Sequence, residues 1–305
     1  MEFRLDGGQV ELQQTVARFA ESRFSLTAVA DPSLWDGMTA LGLFGLADLG
    51  AVEAVIVFEQ LGWHLAPGPV LWTVLGAGLV EGAATGERRV GGVDAAAVAD
   101  GTVVVEHAGE LDVLVVVHED HVAAHAAAAL GPPEPLVPLD PLTPVGRFTG
   151  LGPGTVVGDA RAASDLRLRG TVLTTASLAG LAGRALEVAR AYALDREQFG
   201  APIGSFQAVK HLLADMYVRA GLAQSETYAA AALEDPAAGA AAKVLAADAA
   251  IANAGTAIQV LGGMGFTWDM LPHHLLKRAR VLEQSFGTAD DHAQRLGSAL
   301  LVTGH

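Results

Sequence analysis

Apolar positions in the first part of the chain recur at helical spacing. Leu12, Val16 and Phe19 share one face of a helix, with polar residues between them. Further helical segments are predicted at residues 35–43, at residues 52–61 with a stop at Gly62, and in the apolar run 70–80 that follows two prolines. The pattern therefore predicts an N-terminal helical domain over residues 1–85.

The pattern changes to short β-branched runs over residues 86–168. Strands are predicted at 102–106, 111–117 and 121–125, with a further strand around Val156. Prolines recur through residues 131–144, which excludes a helix or a central strand there and predicts a loop with short extended pieces. The middle of the chain is therefore predicted to be a small β-domain.

Helical spacing returns over residues 169–305, where four apolar stripes follow one another. Lys243 and Asp248 lie off the apolar face of the third stripe. The members of the stripes are Leu178, Leu181, Ala182, Ala185, Ala189 and Tyr192; Phe206, Val209, Leu212, Leu213, Met216, Tyr217 and Ala220; Val244, Ala247, Ile251, Ala254 and Ile258; and residues 275–284. Long helices joined by short loops predict a bundle of four helices. The order of helices, strands and helices predicts a mostly α-helical fold with a small β insertion.

Charge and composition exclude several classes of function. The chain has 19 Lys and Arg against 34 Asp and Glu, a net charge of -15, which disfavours binding to nucleic acid or to an anionic membrane surface. It has no cysteine, which excludes disulfides and thiolate metal sites and fits a reducing, cytoplasmic location. Polar residues interrupt the most apolar windows, such as 240–260, so no membrane-spanning helix is expected.

One segment carries residues suited to holding a phosphate. Arg196, Gln198 and Phe199 end a predicted helix, and a turn containing Gly and Pro leads to Phe206 and Gln207 at the next helix start. An arginine at such a corner can present its guanidinium to a phosphate. Taken alone, Arg196 could equally be a surface ion-pair residue.

A second segment ends a helix in glycines. Gln259 and Val260 precede Gly262 and Gly263, whose backbone can approach a ligand closely. Taken alone, these glycines could be no more than a helix cap.

Together the two segments resemble the acyl-CoA dehydrogenases. The matched stretches are 196–216 and 259–267, with weaker matches at 41–46 and 59–62, and the order of helices, strands and helices agrees. The resemblance implies an N-terminal helical domain, a middle β-domain and a C-terminal helical bundle. It also implies dehydrogenation of an acyl-CoA thioester with FAD, shared across a subunit interface. By the resemblance, the pyrophosphate and adenosine of that FAD are bound by Arg196, Gln198, Phe199, Phe206, Gln207, Gln259, Val260, Gly262 and Gly263.

The catalytic base of the family is missing from its expected place. Members remove the substrate α-proton with a carboxylate, which in many of them precedes a Gly-Thr pair. Phe286 occupies that position here and cannot accept a proton. The other known location falls near Gly170 and Thr171, neither of which is a base. The β-domain also lacks the Thr-Glu-Pro and Gly-Ser-Asp segment with which members contact flavin and acyl-CoA.

These losses affect only one half of the flavin site, which favours a division of labour between subunits. The hypothesis is the non-catalytic subunit of a heteromeric acyl-CoA dehydrogenase, of the type that actinobacteria use on steroid side chains. Its partners would be a full-length catalytic subunit with the Glu, an acyl-CoA and an electron-transferring flavoprotein. Two alternatives stay open. One is a homomeric enzyme with Asp290 or Asp291 as base, although these are expected to begin the final helix. The other is a flavin-free structural or regulatory protein.

Several further polar residues are interpreted as structural. His273 and His274 are adjacent, so their side chains are expected to point to different faces, and no metal site is expected. The group His118, His121 and His125 is better interpreted as a polar turn between strands than as a metal site. Arg278 and Arg280 could contact a subunit or a substrate, or form plain surface ion pairs.

Overall fold

The computed structural model describes residues 5–26 and 32–303. Its α-helices are α1 (Gly7–Arg23), α2 (Pro32–Ala40), α3 (Ala51–Trp63), α4 (Val70–Leu75), α5 (Ala127–Leu130), α6 (Ala160–Asp195), α7 (Gln207–Leu233), α8 (Pro236–Leu261), α9 (Leu271–Gln284) and α10 (Ala289–Thr303). Its strands are β1 (Val90–Asp94), β2 (Val103–Glu106), β3 (Val113–Val117), β4 (His121–Ala126), β5 (Glu134–Leu136), β6 (Val145–Phe148), β7 (Thr155–Asp159), β8 (Glu197–Gln198) and β9 (Ala201–Pro202). The predicted fold class, mostly helical with a small β insertion, is confirmed.

By compactness the chain forms two units. The first comprises Met1–Ser22, Val55–Ala66 and Thr171–His305, and the second comprises Arg23–Ala54 and Pro67–Gly170. This grouping divides the N-terminal helices between the units, so the three domains at 1–85, 86–168 and 169–305 stay a prediction.

The start of α6 differs from the expected boundary between residues 168 and 169. The helix begins at Ala160, because the Asp159 carboxylate accepts the Ala162 N–H at 2.9 Å and caps the first turn. The boundary inferred from the apolar stripe therefore falls inside a helix. The first turns of α6 carry more polar residues, which concealed the true start.

The second unit contains two small sheets. In the first, β1 pairs in parallel with β3, β3 pairs with β4 in an antiparallel hairpin, and β4 pairs with β7. The second is antiparallel in the order β2, β6 and β5. β3 is buried along its whole length, and its Leu114 forms a hydrophobic core with Val103, Val105 and Phe148.

The predicted strands at 102–106, 111–117, 121–125 and around Val156 are confirmed as β2, β3, β4 and β7. The proline-rich loop contributes only the short β5, which lies at a sheet edge where a proline does not break a ladder. β1 was not predicted because it contains two adjacent glycines. A Cβ at Gly91 would lie 2.3 Å from the Leu111 side chain and one at Gly92 would lie 2.2 Å from the Trp72 ring. Tertiary packing therefore selects glycine in this strand.

In the first unit, α3 and α6 approach each other backbone to backbone. A Cβ at Gly62 would lie 2.1 Å from the Ser177 carbonyl oxygen, and one at Gly180 would lie 2.0 Å from the Glu59 carbonyl oxygen. The predicted helix stop at Gly62 is wrong, since α3 continues to Trp63. Gly62 serves close packing rather than termination.

α8 is the central helix of the C-terminal bundle and packs against α7, α9 and α10. Its alanine stripe is buried, and Asn253 donates from Nδ2 to the carbonyl oxygens of Ala182 on α6 and Met216 on α7, at 3.2 and 2.9 Å. Lys243, predicted off the apolar face, is completely buried, whereas Asp248 is exposed. The prediction for Lys243 is wrong, because the end of α9 supplies buried acceptors for its ammonium group.

Two helices are long and apolar enough to cross a bilayer by length and composition alone. The polar residues in the apolar windows had predicted that no helix would meet this criterion. They are Ala160–Asp195 and Pro236–Phe266, with 67% and 50% of their most apolar windows buried. A helix buried in the core of a globular protein meets the same criterion, so these two helices are weak evidence for a membrane span.

Candidate functional site

The Arg196 corner is a two-residue hairpin. At the end of α6 the Arg196 N–H donates to the Tyr192 carbonyl at 2.9 Å, and β8 then pairs with β9. Phe199 and Gly200 form the tip with φ of 54° and 77°. The Ile203 N–H closes the corner by donating to the Arg196 carbonyl at 2.8 Å. The backbone of Arg196 is thus fixed on both sides.

The side chains of this corner are exposed. Phe199 is 95% exposed, and its ring lies edge-on to that of Phe206 at 6.1 Å between centroids. Within the described ranges, the Arg196 guanidinium has no hydrogen bond or ion pair. α7 then begins at Gln207 without a side-chain cap on its first turn. A fixed backbone therefore presents a free cation beside an uncapped helix start, an arrangement suited to an anion.

The second segment presents bare backbone. α8 ends at Leu261, and Gly262 adopts φ 63° with its N–H donating to the Gln259 carbonyl. A Cβ on Gly262 or on Gly263 would meet nothing within 4 Å, whereas one on Gly265 would lie 2.7 Å from the Ile258 carbonyl oxygen. The first two glycines face open space, and only the third is required by internal packing.

The two segments lie together on the first unit. The Tyr192 hydroxyl, one turn before Arg196, lies 3.9 Å from the Met264 sulfur, directly after the glycine pair. The predicted cofactor residues are thus brought to one surface, while their role towards FAD stays a prediction. Of the predicted cofactor residues, Val260 is half-buried. The other eight are exposed: Arg196, Gln198, Phe199, Phe206, Gln207, Gln259, Gly262 and Gly263.

The turn between α9 and α10 carries Phe286 in a left-handed conformation with φ of 59°, followed by Gly287 with φ of 95°. The Phe286 carbonyl accepts a hydrogen bond from Nε2 of the buried His292 at 3.0 Å. Lys243 Nζ donates to the Leu282 and Ser285 carbonyls at 2.9 and 2.7 Å. The position at which the resemblance predicts the family's base is therefore a fixed turn that bears the apolar side chain of Phe286.

Asp290 and Asp291 begin α10, as predicted. Asp291 Oδ2 accepts the Thr288 N–H and hydroxyl at 2.9 and 2.8 Å, and the Asp291 N–H donates back to the Thr288 hydroxyl at 3.1 Å. These are the reciprocal bonds of a capping box. They lower the pKa of the Asp291 carboxyl, which makes it a poorer proton acceptor.

A buried carboxylate on α3 was not identified from the sequence. Glu59 is 6% exposed and accepts hydrogen bonds from Gln224 Nε2 at 2.5 Å and from the Tyr228 hydroxyl at 2.6 Å. Burial raises the pKa of the Glu59 carboxyl. The position of Glu59 inside the apolar run before Gly62 could have indicated a buried carboxylate. Its two hydrogen-bond donors could not be identified from a local pattern, because they lie more than 160 residues away in the sequence.

The histidines and arginines give a mixed outcome. His273 and His274 are both buried with rings 4.0 Å apart, so the expectation of different faces is wrong; both pack against the ring of Trp268. Arg278 is buried and donates to the Ala66 carbonyl at 2.9 Å, so it is no surface ion-pair residue, whereas Arg280 is exposed.

The polar turn between β3 and β4 is confirmed, with the rings of His118 and His121 stacked at 4.3 Å. Among the described residues, no group of three His, Cys, Asp or Glu side chains is arranged to hold a metal ion.

Comparison with known proteins agrees with this geometry. The family model described as "Acyl-CoA dehydrogenase, C-terminal domain" matches residues 168–301. The acyl-CoA dehydrogenase IpdE2 of Mycolicibacterium smegmatis is 29% identical over 93% of this chain and 96% of its own length. The chain has an acyl-CoA dehydrogenase-like fold, and its residues 168–301 match the C-terminal domain of that family.

Two further similar proteins come from Mycobacterium tuberculosis, the first of them the acyl-CoA dehydrogenase FadE34. FadE34 is 45% identical over 45% of this chain, which spans only 20% of FadE34's length. A chain of the ChsE4–ChsE5 complex is 25% identical and superimposes with a TM-score of 0.85 over 99% of this chain and 100% of its own.

Acyl-CoA dehydrogenases are FAD-binding flavoproteins. The residues of the exposed surface fit the diphosphate of that cofactor. A dianion requires a cation and unobstructed backbone, which Arg196 and the open glycines Gly262 and Gly263 offer.

Proposed function

We propose that this chain is the non-catalytic subunit of a heteromeric FAD-dependent acyl-CoA dehydrogenase. It would hold the pyrophosphate and adenosine of FAD on the surface around Arg196 and Gly262, while a full-length partner supplies the catalytic Glu. The proposal rests chiefly on one contrast. Among the described residues the Arg196 guanidinium has no anionic partner, yet Phe286 stands where the resemblance predicts the catalytic Glu.

The residues of this chain then have distinct tasks. Arg196 binds and orients a phosphate, and Gly262 and Gly263 let the backbone approach it. Phe286 takes no part in proton removal, because an aromatic ring has no basic atom. When bound, FAD supplies the acceptor for the hydride that leaves the substrate β-carbon.

The apolar side chains around the two segments support a partner at this surface. Phe199, Phe266, Trp268 and Met264 are between 50% and 95% exposed. Large apolar groups clustered on a surface are typical of a face that another subunit covers. The outward face of α7 adds Tyr217, Val218 and Leu222, all more than half exposed.

The homomeric alternative is less well supported. Its candidate base Asp291 is committed to the start of α10 by two accepted hydrogen bonds. The finer parts of the proposal are an acyl group derived from a steroid side chain, an electron-transferring flavoprotein as acceptor and a cytoplasmic location. Support for the steroid substrate comes from the resemblance to actinobacterial heteromers.

The decisive experiment is co-expression with the acyl-CoA dehydrogenase encoded by a neighbouring gene. We expect the isolated chain to be colourless and inactive, and the copurified complex to contain one FAD for each pair of chains and to oxidise acyl-CoA with a dye acceptor. Bound flavin and dye-coupled oxidation by the isolated chain would overturn the proposal. A stable complex without flavin would instead establish the structural or regulatory alternative.

A further inference from the structure

Lys243 is a lysine without solvent contact in the middle of α8. Its side chain is 0% exposed, and Nζ ends between the carbonyl oxygens of Leu282 and Ser285, at 2.9 and 2.7 Å. These two carbonyls belong to the last turn of α9 and to its cap, and the Leu282 carbonyl also accepts the Ser285 N–H at 3.2 Å. Lys243 therefore satisfies backbone groups of the turn that follows, although it lies about forty residues earlier in the chain.

His292 binds the same turn through a second side-chain contact. Its Nε2 donates to the Phe286 carbonyl, one residue beyond the carbonyl that Lys243 binds. Its Nδ1 is buried and has no hydrogen-bond partner within residues 5–26 and 32–303. Three carbonyls of one turn are thus held by two titratable side chains that are shielded from water.

The donor count at Nζ indicates its protonation state. A neutral amine has two N–H groups, which equals the number of carbonyls in reach, whereas an ammonium has three. No third acceptor for Nζ is present in the part of the chain that the structure describes. A buried donor without an acceptor is costly, and more so when it carries charge.

The charged neighbours of Lys243 are few. On α9, Glu283 lies close enough to act on it, but its carboxylate accepts the Ala289 N–H at 3.1 Å and forms no ion pair with Nζ among the described residues. On α10, His292 lies close enough to both Lys243 and Arg295 for their positive charges to lower its pKa. Burial lowers the pKa of Lys243 to about 7, which Glu283 only partly offsets, and burial likewise lowers the pKa of His292. The partial negative charge at the carbonyl end of α9 favours the protonated form of Lys243. Burial acts in the opposite direction, because the site excludes water.

We propose that Lys243 is the positioning residue of the Phe286 turn and that it holds the turn as a neutral amine, so that the geometry of the turn is linked to proton uptake. Protonation adds a third donor that the site does not accept, and we infer that the turn between α9 and α10 loosens as the pH falls. The role concerns the chain's own turn and is independent of whether a partner is present.

The test uses the full-length chain labelled with 15N and 13C in its lysines. The chain has only three lysines, Lys210, Lys243 and Lys277, so the other two provide reference signals. We expect the Lys243 signal to change from amine to ammonium as the pH falls through about 7, together with lower hydrogen-exchange protection factors at residues 282–288 on the acid side. An ammonium signal that persists to pH 9 would overturn the proposal.

Two substitutions separate positioning from plain hydrogen bonding. Lys243→Met removes both donors and should give residues 282–288 low hydrogen-exchange protection factors that do not change with pH. Lys243→Arg keeps donors but is always charged, and we expect it not to restore slow exchange. Lys277→Met on α9 is the matched control and should leave the turn unchanged. Restoration by Lys243→Arg would assign the residue a plain structural role, and if neither variant folds, the titration of the native chain decides.

Discussion

The hydroxyl of Tyr192 lies 3.9 Å from the sulfur of Met264. This contact joins the end of α6 to the short helix Gly262–Phe266 that follows α8. It brings two open glycines to the same surface as Arg196, whose guanidinium has no partner among the described residues. Neither segment alone distinguishes an anion site from a helix end. Because the two segments lie close together on a surface rich in exposed aromatic side chains, they are suited jointly to binding an anionic ligand.

Arg196→Ala should weaken flavin binding by the heteromeric complex. Removing a guanidinium from a phosphate loses a charge-assisted hydrogen bond, so we expect FAD affinity to fall about 10- to 100-fold. The measurement is fluorescence titration of the deflavinated complex with FAD. Arg161→Ala is the control, since Arg161 is an exposed arginine of α6 with an ion pair to Asp165. Equal losses in both variants would remove Arg196 from the site.

Phe286→Glu should not make the isolated chain an enzyme. The substitution places a carboxylate where the resemblance predicts the base, but by the same resemblance the flavin-contacting segment of the β-domain is also absent from the sequence. We expect no dye-coupled acyl-CoA oxidation above that of the native chain, measured with flavin added in excess. Activity in this variant would mean that the chain has a complete flavin site and lacks only its base.

The sequence predicted the positions of the helices better than it predicted which of their side chains are buried. Apolar stripes are local signals, and each predicted one became a helix. β1 was missed because Gly91 and Gly92 depress strand propensity and are selected by side chains from elsewhere. The burial of Lys243 depends on carbonyls about forty residues away, which no local pattern records. The candidate site was found through the resemblance, and its adjacency became visible only in the fold.

The carboxylate of Asp291 should prove structural. Thr288→Ala removes the hydroxyl of the capping box and should cost about 1 kcal/mol in the free energy of unfolding. Asp291→Ala should also destabilise the chain, while the acyl-CoA oxidation rate of the assembled complex stays unchanged. Urea unfolding and steady-state kinetics measure the two effects, with Asp248→Ala, which changes an exposed carboxylate of α8, as the control. A loss of the oxidation rate without a loss of folding would revive the homomeric reading.

Glu59 should make the stability of the chain depend on pH. Its pKa is raised in the folded protein by burial, so the folded state keeps the proton at a pH where the unfolded state has lost it. The free energy of unfolding should therefore fall as the pH rises from about 4.5, by up to about 1.4 kcal/mol per pH unit, and level off above the raised pKa.

Glu59→Gln should remove this slope, since a neutral amide does not titrate in this range, while it still offers an oxygen to Gln224 or Tyr228. Glu226→Gln, on the same helix as those two partners, is the matched control. The measurement is urea unfolding of each variant between pH 4.5 and 8. A slope that persists in Glu59→Gln would mean that another group carries the proton linkage, and a slope lost in both variants would remove the assignment to Glu59.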